Sequence, residues 1–240
     1  MADPAFRPAL VVVDMQEDFC PPNGSLAVAE GRSIAPLVNT LLALPSTTLP
    51  LKVATKDWHP PDHISFASNH TSPPRRPFLD TATITNPSNP SESYTSRLWP
   101  VHCVQHTPGA AFIPELDTTH ITHTIHKGTD PRVEMYSAFY PPLHNPRVAD
   151  SGLADLLRAN RTTHVYVVGL AGDYCVRSTA EDAVREGFVA YVVEEGTRSV
   201  DPGQWEACKS EMEGIGVKVV KWEGEEVRRL LKGTEKNGTT

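Results

Sequence analysis

The chain lacks an excess of basic charge. Lys and Arg total 22 against 29 Asp and Glu, a net charge of −7. A sequence-independent hold on nucleic acid needs a basic surface that releases counterions, so that class is excluded. Long apolar runs are also missing. No stretch approaches the roughly 20 residues that span a bilayer, and no basic segment leads into an apolar core near Met1. The expectation is a cytoplasmic protein without membrane contact, with nuclear presence left open. Cysteine is scarce: Cys20, Cys103, Cys175 and Cys208 stand far apart, with no paired knuckle for a zinc ribbon. Internal repeats are absent.

Proline and histidine are the excess. Proline numbers 22 residues, against a usual share of about 5%. Of these, 16 fall between Pro45 and Pro146, and nine of the ten histidines fall between His59 and His144. On either side of this middle, apolar runs alternate with helical stripes. The runs are Ala9–Val13, Leu51–Ala54, Ile121–Ile125, Val165–Val168, Ala190–Val193 and Val217–Val220. Rich in β-branched residues and apolar nearly throughout, they read as strands covered on both faces. The stripes at Ser33–Leu44, Gly152–Ala159, Tyr174–Glu186, Pro202–Met212 and Glu225–Leu231 read as helices. The alternation predicts one α/β domain over 1–240, with a mostly parallel six-stranded sheet flanked by helices on both faces. An irregular insertion of about 57–120 should follow the second strand, with a candidate mobile stretch at Asn86–Ser93. The polar tail, about 232–240, should fray.

In open α/β sheets ligands bind beyond the carboxyl ends of the strands. The polar residues at those ends are Asp14, then Asp57 and His59, then Lys127, then Cys175. A base, a cation and a thiol are the minimum set for nucleophilic acyl transfer. Cys175 opens a predicted helix, where free N–H groups favour a thiolate. Each residue also has a plainer reading: a packing thiol, a first-turn acid, a surface lysine. Asp57 and His59, two apart in extended chain, face the same way and can share an ion. His102 is one candidate third ligand among many. An Asp with two His suits Zn²⁺, Fe²⁺ or Mn²⁺.

The segments VVVDMQEDFCPPNGSL, TKDWHPPDHISFASNH, RLWPVHCVQHTPGAAF, HKGTDPRVEMYSAFY and GLAGDYCVRSTAEDA resemble, in order, the nicotinamidases of the isochorismatase-like cysteine hydrolases. The resemblance runs from Ala9 to about Val193. It implies a metal-dependent amidohydrolase that converts nicotinamide to nicotinate and ammonia in NAD salvage. It makes Asp14 the general base, Lys127 the stabilising cation and Cys175 the nucleophile. Asp57, His59 and His102 become ligands of one divalent metal, zinc first, with iron or manganese as alternatives. The metal would hold the pyridine nitrogen. Phe19, Trp99 and Tyr174 would wall the pocket. Backbone N–H groups of Ala171 and Cys175 would form an oxyanion hole, with a cis peptide at Leu170–Ala171. Gly172 departs from the larger residue common there. The alternatives are a related amide such as pyrazinamide, an enol-ether hydrolase acting on isochorismate, a metal-water hydrolase, or a non-catalytic metal-binding module. The partner expected is a small molecule, with a homo-oligomer allowed.

Overall fold

The computed structural model of the protein describes residues 6–232. The tail expected to fray lies, from 233 on, outside the described residues. Six parallel strands form the central sheet: β1 (Pro8–Val13), β2 (Leu51–Asp57), β5 (His123–Lys127), β6 (His164–Leu170), β7 (Val189–Arg198) and β8 (Lys218–Val220). Their order is β5-β2-β1-β6-β7-β8, and every neighbouring pair is parallel. The chain builds one half outward from β1 through β2 to β5, then returns to build the other half from β6. The direction reverses at β1, and a crevice opens there beyond the carboxyl ends.

Side chains alternate along β1 because successive residues of a strand point to opposite faces. Leu10 and Val12 join a core with Val38 and Leu41 of α1 (Ala35–Leu42) and Val227 and Leu230 of α5 (Glu225–Lys232). Ala9, Val11 and Val13 join the opposite core. That core is covered by α2 (Leu153–Ala159), α3 (Arg177–Arg185) and α4 (Trp205–Ile215), through Leu157, Ala180 and Met212. All six β1 residues are buried, which is why this strand carries no polar face. No helix among the described residues is long and apolar enough to cross a membrane.

The middle of the chain is less irregular than its sequence suggests. β3 (Thr81–Asn86) and β4 (Asn89–Arg97) form an antiparallel hairpin. The expected mobile stretch at Asn86–Ser93 supplies its turn and the start of β4. Asn86 Oδ1 accepts the Ser88 N–H at 2.9 Å, an Asx turn that tightens the reversal. Apolar alternation is faint because only Ile84 and Tyr94 anchor the hairpin, against Val133 and Leu143. Its Thr, Ser and Asn residues therefore gave no strand signal.

β1 and β6 approach unusually closely at their carboxyl ends. Gly169 has φ +118°, and a Cβ there would lie 2.1 Å from the Val13 carbonyl oxygen. Only glycine permits this approach. Because Leu10 is fully buried between β1 and the helices, Leu10→Ala is expected to destabilise the protein by about 2–5 kcal/mol. Urea denaturation with an unchanged slope is the check.

Candidate active site

Four strands deliver the polar residues. Asp14 follows β1, Asp57 ends β2, Lys127 ends β5, and Cys175 follows β6. Asp14 has φ 51°, in the left-handed region. Its N–H donates to Thr55 Oγ1 at 3.2 Å, and the Thr55 hydroxyl donates back to Asp14 Oδ1 at 2.6 Å. This exchange fixes a backbone turn that aims the carboxylate under the crevice. Gln16 clamps the next strand in the same manner. Its amide donates to the Asp57 carbonyl at 2.8 Å and accepts the Asp57 N–H at 2.8 Å.

Lys127 is the centre of the cluster. Its ammonium lies 3.0 Å from Asp14 Oδ2 and 3.3 Å from Cys175 Sγ, and it pairs with Asp57 Oδ1. Asp14, Asp57 and Cys175 offer their polar atoms within 4.8 Å of one another. All four side chains are buried. Burial pulls the ammonium pKa down, but Asp14 and Asp57 outweigh it and hold it well above the ordinary lysine value. Burial pushes the Asp57 carboxyl up, and the opposing interactions, led by the Lys127 ammonium, more than reverse this, leaving it well below the usual range. The second carboxylate bears the surplus negative charge. Burial, opposed by Lys127, raises Asp14 to about 6.

Cys175 differs from its sequence expectation. It lies in a wide helical turn, Gly172–Val176, ahead of α3. Burial raises its thiol well above the usual value, Lys127 opposes, and Asp14 and Asp57 add to the rise. Desolvation and two nearby carboxylates outweigh the helix terminus, so the resting sulfur is a neutral thiol. The peptide Leu170–Ala171 is cis.

Asp57 Oδ2 faces the histidines, 3.5 Å from His59 Nε2 and 3.7 Å from His102 Nε2. The two rings are oriented alike. His59 Nδ1 bonds the Gly128 carbonyl at 2.8 Å, and His102 Nδ1 bonds the Pro100 carbonyl at 2.8 Å. A carbonyl only accepts, so each Nδ1 carries the proton and each Nε2 lone pair is left free. Metal-ligating histidines are held in this way, with the far ring nitrogen donating to a carbonyl that fixes the ring's orientation. Among the described residues, Asp14 Oδ2 and His59 Nε2 are the buried side-chain polar atoms without a hydrogen-bond partner. Asp14 Oδ2 keeps its ion-pair contact with Lys127 but takes no aligned hydrogen bond from it. His59 Nε2 is an orphan lone pair beside a carboxylate oxygen, which a cation would satisfy. Asp57, His59 and His102 therefore fit a divalent ion.

A small cavity opens above these groups. Phe19, Trp99 and Tyr174 wall it, and Ala171, Cys175, Asp57 and His102 reach it. Trp99 and Tyr174 meet edge to face, 4.9 Å between centroids at 85°. Every site residue singled out in the sequence thus lies in or directly beneath one crevice. Sequence reasoning missed the support: Gln16, Thr55, and the cavity residues Glu134 and Tyr136. Tyr136 and Glu134 stand in the VEMY run just past Lys127, but nothing in one sequence aims them at the cavity. Gly172 has a steric reason for being small: a Cβ would lie 2.6 Å from Ser199 Oγ.

Fold and site first define a class: an α/β hydrolytic enzyme with a buried acid, ammonium and thiol at the switch point of a parallel sheet. A family model described as the isochorismatase domain matches residues 8–224, and the chain belongs to that family. The curated nicotinamidase of Acinetobacter baylyi is 40% identical over 210 residues, covering 87% of this chain and 90% of its own. The structure of the yeast nicotinamidase bound to the inhibitor nicotinaldehyde is 33% identical with TM-score 0.81, covering 89% of this chain and 99% of its own. The pyrazinamidase of Pyrococcus horikoshii, solved in complex with zinc, is 36% identical with TM-score 0.67, covering 90% and 99%.

Gly128 tests the histidine geometry. It has φ +65°, and a Cβ there would lie 2.3 Å from His59 Cε1. Gly128→Ala must displace the His59 ring. Divalent-metal affinity, followed by chelator competition, is expected to fall about 10- to 100-fold, the range for lost second-shell support.

Proposed function

We infer that the protein is a nicotinamidase, hydrolysing the carboxamide of nicotinamide to nicotinate and ammonia, with the described chain serving as one hydrolase domain. The observation that carries this reading is the shared cavity. A thiol, an ammonium and a carboxylate meet at its floor, and a free-lone-pair metal set meets its wall, around a space bounded by aromatic rings. The similarity to nicotinamidases over most of the chain supports the same substrate, with function in NAD salvage.

Asp14, Lys127 and Cys175 are assigned the chemistry. At neutral pH Asp14 is ionised and Cys175 is protonated, so the base is ready and the nucleophile is masked. As Sγ approaches the amide carbon, Asp14 accepts the thiol proton. Lys127, 3.3 Å from the sulfur, stabilises the thiolate while it exists. The C–S bond forms and the carbonyl oxygen gains the electron pair. Backbone N–H groups of Ala171 and Cys175 are the assigned donors to that oxygen, an interaction worth about 3–4 kcal/mol in comparable sites. The oxyanion collapses, the C–N bond breaks, and Asp14 returns its proton to the departing nitrogen as ammonia. Asp14 then takes a proton from water, whose hydroxide attacks the thioester. The C–S bond breaks, nicotinate leaves, and the proton returns to the sulfur.

Asp57, His59 and His102 are assigned to hold one divalent ion, with zinc the first choice in view of the zinc-bound relative. Such an ion would supply a Lewis-acid anchor for the pyridine nitrogen. Phe19, Trp99 and Tyr174 confine the ring and exclude water from the sulfur. Asp57 belongs to both halves, with Oδ1 paired to Lys127 and Oδ2 turned to the histidines. Pyrazinamide offers the same ring nitrogen and carboxamide, so it is the natural second substrate.

Two measurements test the assignment. Cys175→Ala should lower ammonia release at least about 10³-fold while the metal content stays that of the wild type. Retained activity would instead indicate a metal-generated nucleophile. The pH profile tests the base. Asp14 must be deprotonated to accept the proton and is raised to about 6. The rate constant kcat/KM should therefore be flat above that value and fall about tenfold per pH unit below it. A flat profile down to pH 4.5 would remove Asp14 from this role.

A further inference from the structure

The hairpin β3–β4 lies outside the catalytic cluster, yet one of its faces is bonded to the cavity wall. Along β4 the inward positions are Glu92, Tyr94 and Ser96, spaced by two, while Ser91, Ser93, Thr95 and Arg97 are exposed. This is the period of a strand with one face covered. Each inward residue holds the loop that carries the cavity wall. Glu92 accepts the N–H groups of His144 and Asn145 at 2.8 and 3.0 Å. Tyr94 donates its hydroxyl to the Glu134 carbonyl. Ser96 Oγ lies 2.9 Å from the Tyr136 hydroxyl.

The last contact continues into the wall. Trp99 Nε1–H donates to the Tyr136 hydroxyl oxygen at 2.9 Å. An indole N–H can only donate, so the Tyr136 oxygen is the acceptor there, and the same hydroxyl shares a second hydrogen bond with Ser96 Oγ in which either oxygen can donate. The Ser96 hydroxyl points on toward the Arg97 carbonyl, 3.5 Å away. The run from Trp99 through Tyr136 to Ser96 fixes two aromatic rings that also pack against Tyr174, at 4.9 Å for Trp99 and 5.3 Å for Tyr136. Trp99, Tyr136 and Tyr174 all line the cavity. Ser96 is buried and does not.

We propose that Ser96 is a positioning residue for substrate binding: from the hairpin, it anchors the Tyr136–Trp99 pair and so sets the aromatic wall against which the substrate ring rests. The proposal rests on the reading of this cavity as the pocket for a pyridine carboxamide. Ser96 makes no contact with Asp14, Lys127 or Cys175. The wall touches the ring equally before and during bond breaking, so its loosening weakens binding without slowing chemistry.

The experiment compares Ser96→Ala, Ser96→Thr and Tyr136→Phe in the metal-loaded enzyme. Ser96→Ala is expected to raise KM for nicotinamide about fivefold with kcat within about twofold of wild type. Ser96→Thr keeps the hydroxyl and should restore KM. Added to Tyr136→Phe, Ser96→Ala should have no further effect, because the bond it breaks is already gone. An unchanged KM, a drop in kcat at constant KM, or a full Ser96→Ala effect on top of Tyr136→Phe would each overturn the proposal. Hydrogen exchange of the Trp99 indole N–H, read by NMR without substrate, is expected to quicken in Ser96→Ala and recover in Ser96→Thr. Unaltered exchange would also overturn it. Failure of the wild type to release ammonia from nicotinamide would strike the reaction reading, and the indole measurement would still decide the role of Ser96.

Discussion

The structure of the site depends on one buried ammonium. Lys127 carries a single positive charge into a region shared by two carboxylates and a thiol. A buried charge without a partner is far too costly to keep, so the lysine and the acids require each other. One cation cannot balance two anions, and the imbalance is written into the groups. Asp57 is held strongly ionised, and Asp14 is raised to about 6. The deficit of positive charge lies beside Asp57, where His59 presents a lone pair with no partner. A divalent cation would fit that position. Burial, with Asp57 adding to it and Lys127 opposing, gives Asp14 a proton affinity useful near neutrality, close to that of an ordinary imidazole. Electrostatic accounting and acid–base function are here a single property.

The fold meets this requirement through its winding order. The sheet reverses at β1, and the strands that meet there and beside it end in Asp14, Asp57, Lys127 and the Cys175 turn. None of these residues is near another in the chain. They converge because parallel strands end on the same edge. Thr55 and Gln16, from strand ends on opposite sides of the β1–β2 seam, use reciprocal hydrogen bonds to lock Asp14 through its backbone and carboxylate and Asp57 through its backbone. The candidate metal ligands use a different device. His59 and His102 stand on loops, and each is aimed by a backbone carbonyl at its far ring nitrogen.

Much of this was legible in the sequence. Six strands and five helices could be read because the central strands β1 and β6 are buried throughout and the flanking strands keep short β-branched runs, even at the more exposed edges β5 and β8. Asp14, Asp57, Lys127 and Cys175 stood out because each breaks such a run at its carboxyl end. The hairpin was not legible. Its residues are polar, its face is covered by hydrogen bonds more than by apolar packing, and Asn86–Ser93 has the composition of a mobile loop. The protonation of Cys175 was not legible either. A helix start suggests a thiolate, but the depth of burial and the two carboxylates beside the sulfur exist only in three dimensions. Tyr136 and Ser96 were silent for the same reason: a hydroxyl in a sequence does not say what it faces.

The close seam at Gly169 has a bearing on how the molecule responds to heat. Asp14 directly follows β1 and the turn that carries Cys175 follows β6, so the seam where no side chain fits sets where the two segments leave the sheet. On heating, the loops at the rim are expected to loosen before β1 and β6 part. In this chain the proposed base and nucleophile hang close to the central sheet, while the aromatic residues proposed to hold the ligand ring stand on loops farther out, where local opening costs less.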